Sequence, residues 1–273
     1  MSTQGRTSEL LTQLESEVTA LTDSAAWRRH LAMQARLHKY SFGNCLLIGA
    51  QLPEASYVAG YQAWRELGRF VRKGEHGIRI LVPYVFRKAA SDDVDGTEVE
   101  AYVRFGVGHV FDISQTDGEE ITTWQYTQGD AAAAAAGLAK LETYAGSLGY
   151  TVDRSDEPGS VRGHCDHKAN RIVLEAELDV VNQASTLAHE LAHALLHDGV
   201  TDYSANRGLY EVEAESVAYV IVTGLGLNAD RCSLPYVASW SRSRDDRDAG
   251  KAVRALGERV HKAANALLAH VEA

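Results

Sequence analysis

Thr186-Leu187-Ala188-His189-Glu190-Leu191-Ala192-His193-Ala194-Leu195-Leu196-His197 is the stretch on which the reading of this chain turns. Leu187, Leu191 and Leu195 recur every four residues, with Ala188 and Ala192 beside them. This spacing predicts a helix with one apolar face. Residues four apart share a helix face, one turn apart, so His189 and His193 can aim two imidazoles at one cation. Glu190 sits about 100° further round, where its carboxylate reaches a water beside the cation rather than the cation itself. Two imidazoles and an adjacent base at HExxH spacing are what zinc-assisted hydrolysis requires. Ser185 or Thr186 can cap the helix or occupy its first turn. His197 continues the face, but eight residues at 1.5 Å each place it about 12 Å from His189. That is too far to share the ion, which leaves His197 behind the ligands or on the surface.

A zinc site of this kind needs a third protein ligand. The run Tyr210-Glu211-Val212-Glu213-Ala214-Glu215-Ser216-Val217-Ala218-Tyr219-Val220-Ile221 supplies three carboxylates entering an apolar helix. Glu211 and Glu215 are four apart and share a face; Glu213 points elsewhere. The expectation is that Glu211 ligates zinc and Glu215 orients a ligand histidine. The reverse assignment stays open. Gly163-His164-Cys165-Asp166-His167 holds three potential ligands as well. It has no second cluster to complete a site and reads as an ordinary loop.

Composition bounds the rest. The chain has 273 residues, 45% hydrophobic and 23% charged, enough for one large or two modest domains. It has no apolar run long enough to span a membrane and no leader pattern at the N-terminus. Three widely spaced cysteines, Cys45, Cys165 and Cys232, argue against a disulfide framework and fit a reducing cytoplasm. A net charge of −10 disfavours nucleic-acid binding for the chain as a whole. The charge is uneven, however. Between Tyr61 and Lys88, Arg65, Arg69, Arg72, Lys73, Arg79, Arg87 and Lys88 face only Glu66 and Glu75. Arg28, Arg29, Arg36 and Lys39 lie in a segment without acids. The local field, not the total, steers a polyanion.

The pattern along the chain is α+β. Leu10, Leu11, Leu14, Val18 and Leu21 predict a first helix, and Ser24 can cap a second running to about Tyr40. A short helix follows at Asn44–Ile48, and another ends at Gly68. Strands are expected over Gly77–Phe86, with Pro83 marking an edge or bulge, and over Val99–Phe111, with a polar turn at Ser91–Gly96 between them. Gln115–Asp130 reads as a linker. Asp130 and six alanines start a strong helix, Arg171–Leu174 forms a short strand, and a closing helix covers Asp246–Val271.

Three ordered segments in the first half, Tyr40–Ile48, Gly60–Arg69 and Val71–Ile80, together with Val110–Thr116, resemble the N-terminal single-stranded-DNA-binding domain of the ArdC antirestriction family. The resemblance covers about residues 8–117 and implies ssDNA binding. Single strands are held by a cationic groove and by aromatic faces on which bases stack. Tyr40, Tyr57, Tyr61 and Trp64 are candidate platforms, although Tyr61 and Trp64 equally suit a core. Arg65, Arg69, Arg72, Lys73 and Arg79 are candidate phosphate contacts, and Asn44 joins them from the first motif. Gly74 and Gly77 flank a basic turn whose N–H groups can approach a phosphate. The second half resembles zincin-like metallopeptidases of the ImmA/IrrE type over roughly residues 130–230, through His189, Glu190, His193 and the ExEAE run from Glu211. Glu215 stands where many ImmA-type sequences have asparagine. The expected organisation is thus an α+β ssDNA-binding domain at 8–117 and a mainly helical zincin-like domain with a small sheet at 130–273. Two functions follow from the resemblance. One is an ssDNA-binding protein with a Zn2+-dependent peptidase site acting on a protein or peptide not identified by the sequence. The other is a DNA-binding antirestriction shield whose zinc is structural or regulatory.

Overall fold

Side-chain caps and small-residue contacts set the element boundaries. In this computed structural model, residues 3–87, 101–121, 131–156, 162–229 and 246–272 are described. The chain divides into two compact units, Met1–Glu17 with Leu46–Ile121, and Val18–Cys45 with Thr122–Ala273. The segment 18–45 therefore folds with the second unit, whereas the sequence places it inside an 8–117 domain.

Helix α1 (Thr3–Ala20) leads to α2 (Ser24–Arg36) and α3 (Phe42–Gln51). Asp23, not Ser24, caps α2, accepting from the Ala25 and Ala26 amides. Helix α2 stops at Arg36, earlier than Tyr40. Cys45 Sγ meets the Leu37 carbonyl just beyond its end.

The first unit holds β1 (Val58–Gly60), α4 (Tyr61–Glu66), β2 (Arg69–Val71), β3 (Ile78–Arg87), β4 (Ala101–Asp112) and β5 (Thr116–Gly118). Strands β1, β4 and β3 form one antiparallel sheet, and β2 pairs with β5. Strand β3 pairs with β4 without a break from Ile78↔Val110 to Arg87↔Ala101. Pro83 sits in β3, an edge strand, where a missing N–H does no harm, and there is no bulge. At Gly106 a Cβ would meet the Tyr84 ring at 2.6 Å, so this glycine lets the Tyr84 ring lie flat on the neighbouring strand. Thr116–Gly118 belongs to a sheet rather than to a linker; the chain there is tied to β2. Asp112 explains why. It is 1% exposed and accepts from the Ser56, Tyr57 and Ser114 amides, while Gln115 returns a side-chain bond to the Asp112 amide. This reciprocal cap fixes the end of β4. The turn expected at Ser91–Gly96, residues 122–130 of the expected linker, the Asp130 cap, Lys88 and Cys232 lie outside the described residues.

The second unit holds α2, α5 (Ala131–Ser147), a three-stranded sheet, α6 (Val180–Leu196), α7 (Tyr203–Gly224) and α8 (Asp246–Glu272). In the sheet, β8 (Arg171–Glu175) lies between β6 (Thr151–Ser155), to which it is parallel, and β7 (Gly163–Asp166), to which it is antiparallel. The segment read as a loop at Gly163–His167 is thus largely an edge strand. The polyalanine of α5 buries Ala134, Leu138, Leu141 and Ala145 on one face. Helix α7 packs on α2, α6 and α8. The Trp27 indole N–H donates to Ser216 Oγ at 3.0 Å inside that core.

One buried group carries a pH signature. His30 on α2 is 4% exposed, lies between the Trp27 and Phe42 rings, and finds no hydrogen-bond partner for either ring nitrogen among the described residues. Burial, helped by the neighbouring His261, lowers its pKa from 6.5 to about 3. The unfolded chain therefore binds the proton first, and stability present near neutral pH is lost as pH falls below 6.5. Between pH 6.5 and 4 the loss from His30 is about 3 kcal/mol. His30→Leu is expected to flatten this acid limb in urea midpoints measured against pH, while keeping the neutral-pH midpoint. An unchanged slope would assign the effect elsewhere.

Candidate metal centre

Helix α6 starts earlier than its motif requires. Asp179 caps it by accepting from the Asn182 amide, so Ser185 and Thr186 lie well inside rather than at the cap. Six further residues of regular helix thus precede the first histidine, which leaves it clear of the fraying end. The inner face buries Ala184, Leu187, Ala188, Leu191 and Ala192. At Gly163 on β7 a Cβ would meet Thr186 Cγ2 at 2.6 Å and the Val173 carbonyl at 3.1 Å. Only glycine lets the edge strand come this close to the helix.

His189, His193 and Glu211 converge. Their ligand atoms all lie within 4.8 Å of one another, the one such trio among the described residues. His189 Nε2 is 3.0 Å from His193 Nε2, and Glu211 Oε2 is 3.5 Å and 3.8 Å from these two nitrogens. Glu215 Oε1 lies 3.7 Å from His189 Nδ1, on the other side of that ring. Two imidazoles and one carboxylate form a donor set suited to zinc or a similar divalent ion, with room for a non-protein ligand.

The electrostatics separate the acids. A hydrogen bond from His189 outweighs burial and holds the Glu211 pKa down at about 2. Burial pushes Glu190 up to about 7, although the Cys165 backbone amide and His189 favour its charged form. Burial also raises Glu215. Burial pulls His193 down to about 3, with His189 and His197 adding to the effect. Burial works against the charged form of His189 too, but Glu211, Glu190 and Glu215 together lift its pKa. Glu190 and Glu211, from two different helices, thus hold their protons differently.

Three tyrosine and arginine neighbours differ in reach. Tyr203 donates to Glu211 Oε1 at 3.2 Å. Tyr210 instead donates to Asp202 at 2.8 Å, and Arg207 is 75% exposed. The sequence placed His197 only behind the ligands or on the surface and turned Glu213 away from the site. In the structure both are buried and joined at 2.8 Å. The i+4 spacing from His193 was the available signal for His197; for Glu213 there was none without the fold.

The residues expected to contact nucleic acid fall into three groups. Trp64 is fully buried, and its indole N–H donates to the Phe111 carbonyl at 2.9 Å, so it is a core residue and no stacking platform. Arg69 is occupied by Thr116 and the Gly118 and Glu119 carbonyls. Arg72 is occupied by Glu75, Asp117 and the Ser114 carbonyl, and Arg79 reaches Glu9 at 3.4 Å. These arginines brace the β2–β5 region and α1. Arg65, Lys73 and Tyr61 are exposed. Tyr40 and Asn44 are half-buried and belong to the second unit. Phe70, Tyr84 and Phe105, absent from the sequence-based set, are each about half exposed in the first unit. Alternation within β2, β3 and β4 does not tell which face meets solvent, so these rings do not stand out in the sequence.

With this geometry in hand, likeness to known proteins becomes informative. Residues 2–111 match the family described as the N-terminal domain of anti-restriction factor ArdC, and residues 148–223 match the IrrE N-terminal-like domain, a peptidase M78 family. The chain joins an ArdC-type domain to an IrrE-like peptidase domain. An uncharacterized protein of Bacillus anthracis is 24% identical over 96% of the chain, and the chain spans half the length of that relative. Crystal structures of the antirestriction ArdC protein from plasmid R388 share the fold. The metal-free form has a TM-score of 0.53 at 22% identity, covering 85% of each chain. The Mn(II)-bound form has 0.56 at 21%, covering 95% of this chain and 97% of that one. The ArdC-type and IrrE-like parts together account for the mixed α+β fold with small sheets. No described helix is long and apolar enough to cross a membrane.

If the trio in the IrrE-like part holds a divalent ion, a hundredfold excess of ion over its dissociation constant adds about 2.7 kcal/mol of stability. Thermal melts with and without added ion are expected to show this upward shift in the wild type. His193→Ala should abolish it. Equal shifts in both would move the ion to another site.

Proposed function

We propose that this chain is a zinc-dependent hydrolase of the peptidase class carried on a single-stranded-DNA-binding unit, and that it serves an antirestriction role. The observation that carries the hydrolase reading is the convergence of His189, His193 and Glu211 with Glu190 beside them. A bound zinc ion would supply Lewis acidity, lowering the pKa of a water and polarising a carbonyl. His189, His193 and Glu211 would hold it. The protein's own groups do the rest. Glu190, poised near neutral pH by burial and steered by the Cys165 amide, accepts the proton of the attacking water and passes it to the leaving amine. Tyr203, whose hydroxyl donates to Glu211 Oε1 at 3.2 Å, would redirect that single O–H to a developing oxyanion. Glu215 steadies the His189 ring from its Nδ1 side. Strand β7 is a sheet edge beside α6, where an extended peptide can add by backbone hydrogen bonds. The plasmid ArdC structure named as Mn(II)-bound supports a divalent ion in a protein of this fold.

The DNA reading rests on the ArdC-type match and on the rings that the first unit exposes. Tyr61, Phe70, Tyr84 and Phe105 offer faces for stacked bases, and Arg65 and Lys73 offer charge to phosphates. Arg69, Arg72 and Arg79 hold the fold that presents them.

Glu190→Gln is expected to retain zinc and to lose hydrolysis of a peptide library by at least a hundredfold. Cleavage that persists would remove Glu190 from the reaction. If the same variant still protects DNA against a restriction nuclease, the protective role needs no hydrolysis, and the shield reading replaces the enzymatic one. For the first unit, Arg65→Ala with Lys73→Ala should weaken binding to an oligo(dT) strand and lower the slope of log affinity against log salt by about 1.4 for two lost contacts on a single strand. Tyr61→Ala should weaken binding while leaving that slope intact. Slopes and affinities equal to wild type would place the strand on another surface.

A further inference from the structure

A chain of buried polar groups runs away from the proposed metal trio and ends on the C-terminal helix. His193 Nδ1 lies 2.8 Å from His197 Nδ1. His197 Nε2 lies 2.8 Å from Glu213 Oε2. Arg259 of α8 brings Nε to 2.9 Å from Glu213 Oε1 and Nη2 to 3.1 Å from Oε2. The same Nη2 donates to the Leu196 carbonyl at 3.2 Å, one of the carbonyls left open at the end of α6. The His197 and Glu213 side chains are 0% and 1% exposed, and the Tyr210 ring lies 4.5 Å from the His197 ring. No step of the proposed reaction uses these three residues. Burying a carboxylate and an imidazole this deeply is costly unless each is fully partnered, and here each is.

The donor and acceptor roles have one self-consistent solution. A neutral imidazole has one N–H and one bare nitrogen. A guanidinium faces both oxygens of Glu213, so Glu213 accepts, and His197 must present its proton at Nε2. His197 Nδ1 is then bare and can only accept. The proton of His193 therefore sits on Nδ1, and His193 Nε2 is bare. That nitrogen is the one facing His189 Nε2 at 3.0 Å and Glu211 at 3.8 Å. With both imidazoles neutral, any other assignment sets two bare nitrogens, or a bare nitrogen and a carboxylate oxygen, 2.8 Å apart.

We propose that His197, Glu213 and Arg259 are positioning residues, a relay that fixes the tautomer and ring plane of His193 so that its Nε2 lone pair points at the ion. The relay makes ion affinity depend on the docking of helix α8, some fifty residues beyond the ligand helix. The inference rests on the reading of His189, His193 and Glu211 as ligands. It concerns how one of them is prepared.

The test uses the full-length protein stripped of metal. Zn2+ affinity is measured by competition with a chromogenic chelator. His197→Phe keeps the ring volume against Tyr210 and removes the acceptor, and it is expected to raise the Kd for Zn2+ by 10- to 100-fold. Arg259→Met keeps an unbranched apolar stem at a half-exposed position and should raise the Kd several-fold in the folded protein. In parallel, long-range 1H–15N spectra of the imidazoles in the metal-free wild type report the tautomers directly. The expected result is Nδ1–H on His193 and Nε2–H on His197. A folded His197→Phe or Arg259→Met protein with wild-type Kd, or an Nε2–H tautomer at His193, overturns the relay. If His197→Phe does not fold, Arg259→Met and the spectra still decide. If the wild type takes up no Zn2+ yet shows the expected tautomers, the relay stands as a structural device and the ligand reading fails.

Discussion

The close packing of α6 against α7 is the constraint from which the rest of the second unit follows. The two helices are joined by residues 197–202 alone, and small side chains are buried on both, among them Ala188 and Ala192 on one and Ala214 and Ala218 on the other. Small residues let helix axes approach. The approach brings Glu211 within bonding range of two imidazoles from the neighbouring helix. Larger residues in those rows would hold the carboxylate back. The trio would then become two buried histidines and a solvated acid, which is chemically inert.

The same packing generates opposite behaviour in similar groups. Glu190 and Glu211 differ in what surrounds them. Glu211 has an imidazole, a tyrosine hydroxyl and partial exposure, and its pKa falls to about 2. Glu190 is enclosed by the β7 strand and the apolar face of α6, and its pKa rises to about 7. A ligand needs permanent charge and a base needs a proton affinity near that of its surroundings. The fold meets both needs with different means, a hydrogen bond from His189 at Glu211 and burial at Glu190. Gly163 is part of that device, since the strand that covers Glu190 could not approach over any larger residue.

Periodicity made some of this legible and could not reach the rest. The HExxH helix and the acidic helix follow from spacings of four, because a helix face is a local property, whereas the choice between Glu211 and Glu215 needs the packing of the two helices. The cap at Asp179, the strand at Gly163–Asp166 and the roles of Arg69 and Arg72 depend on what the rest of the fold places nearby. A basic cluster looks alike in sequence whether it faces phosphates or carbonyls. In this chain Thr116, Ser114 and Asp117 decide, some forty residues downstream. Trp64 was equally ambiguous until Phe111 supplied its acceptor. Glu213 illustrates the limit most sharply. It was set aside because it does not share a face with Glu211. That opposite face is what carries it to His197 and Arg259.

The division of the chain into units adds a further step. Residues 2–111 match one family, yet α2 within that span packs on α7 in the second unit and places Trp27 against Ser216. Ser216 follows Glu215 directly and lies five residues after Glu211. The helix that carries the acidic ligand is therefore supported from behind by a segment near the N-terminus, with a fully buried indole as the contact. A fragment beginning after residue 121 would lack α2 and would expose the apolar rear of α7. The second unit is built from two distant parts of the chain, and any change that loosens α2 acts on the geometry of Glu211 through the packing of α7.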